Sequence, residues 1–216
     1  MKNNFKQKIA HSSVWALLLC GCQLSAQTIS GSVLTTISGN VQTEAGNNVE
    51  NVTVTLNGPG GPFFDLTDSN GDFSFSGLAD NQTYSLCLSK NDNPLNGVTT
   101  FDGALLAKHI NGTQPLNSPY KIIAAETAPE SLLPSATLNV LDLYFMRLLI
   151  LGVITDLPAP SWKFVPADAV LSPVWPFPDI PLPAGCKTIN LNGSAAGQDF
   201  IGIKTADVNG SAVSGS

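Results

Sequence analysis

The 216-residue chain carries 10 Lys plus Arg against 16 Asp plus Glu, a formal net charge of −6, and only 12% of its residues are charged. An acidic balance argues against electrostatic binding of nucleic acid or anionic lipid, and so little charge argues against long solvent-exposed helices. Gly, Pro, Asn, Ser and Thr fill the spaces between apolar residues, as in short strands joined by turns.

Lys2, Lys6 and Lys8 precede the apolar run Val14-Trp15-Ala16-Leu17-Leu18-Leu19-Cys20, and small residues follow as far as Ser25-Ala26. A charged start, an apolar centre too short to span a bilayer and a cleavable end make residues 1–26 a bacterial-type signal peptide. Two cleavage points are open. Cleavage after Ala26, which ends the apolar stretch and is preferred, releases a chain beginning at Gln27. Cleavage before Cys22 leaves a lipid anchor, since Leu19-Cys20-Gly21-Cys22 resembles a lipobox. Loss of residues 1–26 removes three Lys and no acid, leaving 7 basic against 16 acidic residues, a net of −9. The mature chain is expected to be secreted or on the cell surface, with no integral membrane span. It keeps Cys87 and Cys186, either as a disulfide closing a long loop or as two buried thiols. Two Cys are too few for a disulfide scaffold or a Cys-rich zinc site.

Residues 30–90 read as strands. Val49-Glu50-Asn51-Val52-Thr53-Val54-Thr55-Leu56 alternates at Val52, Val54 and Leu56, the period of a half-buried strand. Asp72-Phe73-Ser74-Phe75-Ser76 alternates too and is entered through the turn Asp68-Ser69-Asn70-Gly71. Thr83 to Leu88 is a further strand. Ile37-Ser38-Gly39-Asn40-Val41, the Val49–Leu56 strand, the Thr67-Asp68 to Phe75 hairpin and the Tyr84 strand together resemble the carboxypeptidase-regulatory-like and Cna-B-like families. That resemblance implies a prealbumin-like antiparallel β-sandwich, used as a spacer or stalk. Asp68-Ser69-Asn70-Gly71-Asp72 also matches the front of a calcium loop, but the twelfth position is Ala79, so a structural turn is preferred. No Lys lies between Lys8 and Lys90, which argues against the Lys–Asn isopeptide bond of some Cna-B-like domains.

Residues 91–157 contain a duplication. Val98 to Gly112 aligns with Leu138 to Gly152 at an offset of forty residues, each with an Asp opening an amphipathic helix and a Gly closing it. A repeated loop and helix resembles a dockerin, in which two calcium loops of the EF-hand kind each feed one of two antiparallel helices. Counted back from Asp102 as position twelve, the resemblance implies a first-loop calcium site formed by Asn91, Asn93, Gly97, Thr99 and Asp102. With Leu95 at position five and few charged ligands, such a site is weak. In the second loop the corresponding positions hold Ser131, Leu133 and Ser135, which do not make a cation site, and Leu138 and Asp142 are assigned to packing and the helix N-cap. The second helix is apolar almost all round and needs a partner to cover it. His109, alone beside Lys108, reads as a surface or half-buried helix residue. Where dockerins contact cohesins this chain has Thr100-Phe101 and Val140-Leu141, a departure from the usual Ser-Thr. The run from Asn93 through Ile110, with Ser118 to Ala125 between the repeats, resembles dockerin-like segments of large secreted Bacteroidetes proteins, whose partner is undefined.

Residues 158–216 read as a Pro-rich β/coil tail, with strands at Ser161 to Pro166 and Asp199 to Thr205. Trp162 and Trp175 are assigned to packing over the helices in preference to sugar stacking. Asp207-Val208-Asn209-Gly210 has the start of another calcium loop without its twelfth residue. The whole is expected to be mainly β with a small α part. No Ser-His-Asp set, metal-spaced His cluster or Gly-x-Ser-x-Gly appears, and no spacing selects a carboxylate pair such as Asp65 and Asp102. The expected function is therefore non-catalytic attachment to a protein partner, cohesin-like or undefined. The alternatives are an accessory part of a polysaccharide-degrading glycoside hydrolase system and a carbohydrate-binding module.

Overall fold

The computed structural model describes residues 34–129, 138–171 and 186–213, all within one compact unit, Ser32–Ser216. The expected signal peptide with Cys22, the Ser131 to Ser135 stretch and Trp175 lie outside the described residues. In chain order the elements are β1 Leu34–Gln42, β2 Thr53–Asn57, β3 Phe63–Leu66, β4 Asp72–Ala79, β5 Gln82–Ser89, α1 Thr100–Ile110, α2 Pro119–Ala125, α3 Val140–Ile150, β6 Trp162–Pro166, β7 Cys186–Leu191 and β8 Phe200–Lys204.

The strands form two four-stranded sheets, in the orders β4-β1-β8-β6 and β3-β2-β5-β7. One core serves both: Ile37, Val41, Phe73 and Phe75 from the first meet Val54, Leu56, Tyr84 and Leu86 from the second. Alternation places these side chains: Phe73 and Phe75 of β4, and Tyr84, Leu86 and Leu88 of β5, are buried at every second position. The molecule is thus mainly β, with three short helices.

Two expectations change. The strands of the expected tail are members of the sheets: β6 and β8 pair with each other, β8 pairs with β1, and β7 pairs with β5 along six residues. The first sheet is also not wholly antiparallel, because β1 and β8 run parallel at Val41↔Phe200 and Gln42↔Ile201. Hydrophobic period reveals which face of a strand is buried and leaves its partner unspecified. At Gly39 the backbones come so close that a Cβ would lie 2.2 Å from the Gln198 carbonyl oxygen, so a side chain there would push the two segments apart.

Cys87 and Cys186 stand opposite each other in the β5–β7 ladder and are joined by a disulfide. Trp162 is buried among the sandwich residues, with 3% of its surface exposed, rather than lying over the helices. The aspartates of the Asp68–Asp72 turn are used internally: Oδ1 of Asp68 accepts from the Asn70 and Asp72 amides, and Asn40 donates to Asp72.

The helices connect β5 to β6 and have their own core, in which Leu106 of α1 meets Leu143, Met146 and Leu149 of α3. Helix α2, outlined in the sequence by Ser118-Pro119, has Ser118 as its N-cap and Pro at its first position. Its Ile123 and Ala124 pack with Val165 of β6 and Ile203 of β8. Lys163 ties the end of α2 to the sheet by donating to the Ile123 and Glu126 carbonyls.

Candidate functional site

The duplicated loops are the most distinctive local construction. At the start of α1, Thr99 is the N-cap and Asp102 the third helical residue, and the two form a capping box. Oδ2 of Asp102 accepts from the Thr99 amide at 2.9 Å and from its hydroxyl at 2.8 Å. Oδ1 accepts from the backbone amides of Val208 at 2.9 Å and Asn209 at 3.0 Å. The side chain is fully buried.

The second copy repeats this. Asn139 is the N-cap of α3, Asp142 the third residue, and Oδ2 of Asp142 accepts from the Asn139 amide at 3.0 Å. Its Oδ1 accepts from the Thr127 and Ala128 amides, both at 3.0 Å, and Thr127 donates its hydroxyl to the Asp142 carbonyl at 2.6 Å. Asp142 is therefore the third residue of its helix, and the cap assigned to it belongs to Asn139. In both copies a buried carboxylate joins a helix start to two consecutive amides of another segment.

The segment that docks on α1 follows β8. Oδ1 of Asp207 accepts from the Gly210 and Ser211 amides and Oδ2 from the Ala212 amide, so the carboxylate shapes its own turn. Burial pushes the Asp207 carboxyl above its ordinary range, the three amides oppose that, and the nearby charge of Asp102 adds to the rise. Ser211 donates to the Gly97 carbonyl at 3.0 Å, and Asn96 and Val213 exchange two hydrogen bonds. Gly97 has φ +77° and no room for a side chain, because a Cβ would lie 2.5 Å from the Ala212 nitrogen.

The five residues expected to form a first-loop site are distributed as follows. Thr99 and Asp102 meet in the capping box, and Gly97 is joined to the same region through Ser211. Asn91 turns to the start of β6, where its Oδ1 accepts from the Ser161 amide at 2.8 Å. Asn93 is exposed, has φ +41° and accepts through its carbonyl from Asn96. Among the described residues, no group of three or more His, Cys, Asp or Glu side chains is placed to hold a metal ion.

Between the loops and the sheet lies a cluster of buried charge that sequence reading missed. Lys204 donates to the Ser161 and Pro94 carbonyls at 3.3 and 3.4 Å and sits 5.8 Å from the centre of the Trp162 ring. Burial lowers its pKa from 10.5 to about 8, against the opposing pull of Asp92 and Asp207. Lys90 pairs with Asp92 at 2.8 Å and also donates to the Glu50 carbonyl. The signal was available in principle, since Lys204 directly follows the apolar Phe200-Ile201-Gly202-Ile203, but a Lys at a strand end ordinarily faces water.

His109 is more deeply placed than expected: it is buried, and its Nδ1 accepts from the Leu116 amide at 3.0 Å. Burial lowers its pKa, the direction that favours the unprotonated Nδ1 an acceptor requires. Asp65 lines an open cavity of about 570 Å³ with Asp68, Asp72 and Asp199, whereas Asp102 is buried at α1. Asp65 accepts from the Leu66 and Ser74 amides, and Asp199 from the Asn40 amide. No helix among the described residues is long and apolar enough to cross a membrane.

Compared with known proteins, the chain matches no family model, no curated protein and no solved structure. The fold and the loops define it as a mainly β, disulfide-bonded protein with a helical insertion.

Proposed function

We propose that the protein is a non-catalytic attachment module, secreted or held at the bacterial cell surface, in which a prealbumin-like sandwich acts as a stalk and the helix pair meets a protein partner. The observation that carries this reading is the apolar surface of the helical part. Phe101 of α1, Val140 and Tyr144 of α3, and Leu151 and Val153 just beyond it are each at least 54% exposed. Large apolar side chains held on rigid helices at such exposure are the material of protein contacts. The non-catalytic part rests on how the polar groups are used. His109 is buried as a hydrogen-bond acceptor, and the carboxylates of Asp65, Asp68, Asp102 and Asp199 are engaged by backbone amides. The extracytoplasmic location is supported by the disulfide, a bond that persists in oxidising compartments.

The test compares immobilised wild-type protein with the double variant Phe101→Ser, Tyr144→Ser in extracellular and envelope fractions of the source bacterium. A protein retained by the wild type and lost from a double variant of unchanged circular dichroism is the expected result. Equal retention by both sinks the proposal.

A further inference from the structure

The resemblance to dockerins makes calcium the expected organiser of the first of the two loop–helix units and leaves the second without a cation site. We infer that these units are instead locked without a metal ion, by backbone amides donated from two other segments of the same chain.

A carboxylate offers about four lone-pair positions. On Asp102 all four are taken by donors: two from Thr99, one from Val208 and one from Asn209. These groups turn their positive hydrogen ends toward the carboxylate, the electrostatic part that a cation would play, and they fill the place from which one would coordinate. Calcium needs roughly six to eight oxygen ligands. In the segment beside Asp102, Asp207 is occupied by its own three amides, and the buried oxygens left without a hydrogen-bond partner are Oδ1 of Asn209, a neutral ligand, and Oδ1 of the loop's Asp92, whose charge is already paired through Oδ2 with Lys90. Of the loop's other expected ligands, Asn91 is committed to Ser161 and the Gly97 carbonyl to Ser211.

The second copy makes the first more than an accident of one loop. Forty residues on, Asp142 takes the Thr127 and Ala128 amides on the oxygen equivalent to the one that takes Val208 and Asn209. The amide donors come from opposite directions along the chain, before α3 in one case and after β8 in the other. The same carboxylate position is thus satisfied twice by the same two-amide device from unrelated segments. Such a clamp cannot be released by chelation, and it holds whether or not the exposed helix residues meet a partner.

The experiment uses the full mature chain after exhaustive chelation. Amide hydrogen exchange followed by NMR reads Val208, Asn209, Thr127 and Ala128 directly, and thermal unfolding is measured in chelator, in calcium and in magnesium. The four amides should be protected in chelator, with unfolding midpoints that coincide in all three solutions. Asp102→Asn and Asp142→Asn should each lower the midpoint by the same amount with and without calcium. The inference is overturned if calcium raises the wild-type midpoint saturably while magnesium does not, or if the four amides exchange freely until calcium is added. Should either variant fail to fold, the two wild-type measurements still decide.

Discussion

Lys204 holds its charge in surroundings that resist it, with carbonyl oxygens and an indole face standing in for water. Its pKa is about 8 in the folded protein and 10.5 as the ordinary value, so between those limits the unfolded chain binds the proton more readily than the native one. Stability from this group therefore rises as pH climbs from about 8 toward 10.5, and the burial cost is fully present below that window. Urea unfolding across the window should show the rise in the wild type and a flatter profile in Lys204→Met. An equal slope in both would assign it to other groups. The same scale explains what the sequence disclosed about Asp102 and Asp142. Both positions were legible from the repeat, Asp142 already as part of a helix cap, but Asp102 was read as a calcium ligand, because its actual donors, Val208 and Asn209, lie 106 and 107 residues away in the chain.

At the scale of elements, β7 is an edge strand bound to β5 by six residue pairs, two buried side chains, Ile189 and Leu191, and the Cys87–Cys186 bond. That bond closes a sequence separation of 99 residues. Replacing both cysteines by Ala should cost about 2–5 kcal/mol, mostly through the greater freedom of the unfolded chain. Comparing chemical unfolding of the double variant with that of the oxidised wild type measures it; a difference near zero would show that the ladder alone secures the strand. Strands β2, β4 and β5 were legible because Val54, Phe73, Phe75 and Leu86 repeat at intervals of two beside clear turn residues. β7 alternates as well, at Ile189 and Leu191, but follows a Pro-rich run and pairs with a strand about a hundred residues earlier, so it was not singled out within the expected β/coil tail. Helix α2 was passed over for its length of seven residues despite a Ser-Pro start.

At the scale of the molecule, the helical insertion is fastened to the sheets at several places: α2 packs on β6 and β8, Lys163 reaches the end of α2, and Asp102 grips the segment after β8. Fastening of this density predicts that helices and sheets unfold together. Near-ultraviolet circular dichroism, which senses the buried Trp162, and far-ultraviolet circular dichroism, which senses the helices, should give superimposable urea transitions. Early loss of the helical signal would mean that the insertion is an independent unit. Division into a sandwich, a helix pair and a tail followed the order of residues; the sheets follow space, taking five strands from before the helices and three from after them.

The parallel seam between β1 and β8 has a consequence for how the chain comes into being. Asn40 and Asp199, bonded across that seam, are 159 residues apart. Contacts of such range are slow to form because a long loop must close first. A growing chain reaches Ser89 with β1 to β5 already made, yet one flank of β1 stays bare until Phe200 emerges, and an uncovered strand edge invites pairing with another chain. A product terminated before Phe200 would therefore carry a half-closed sheet, with one flank of β1 open to such pairing.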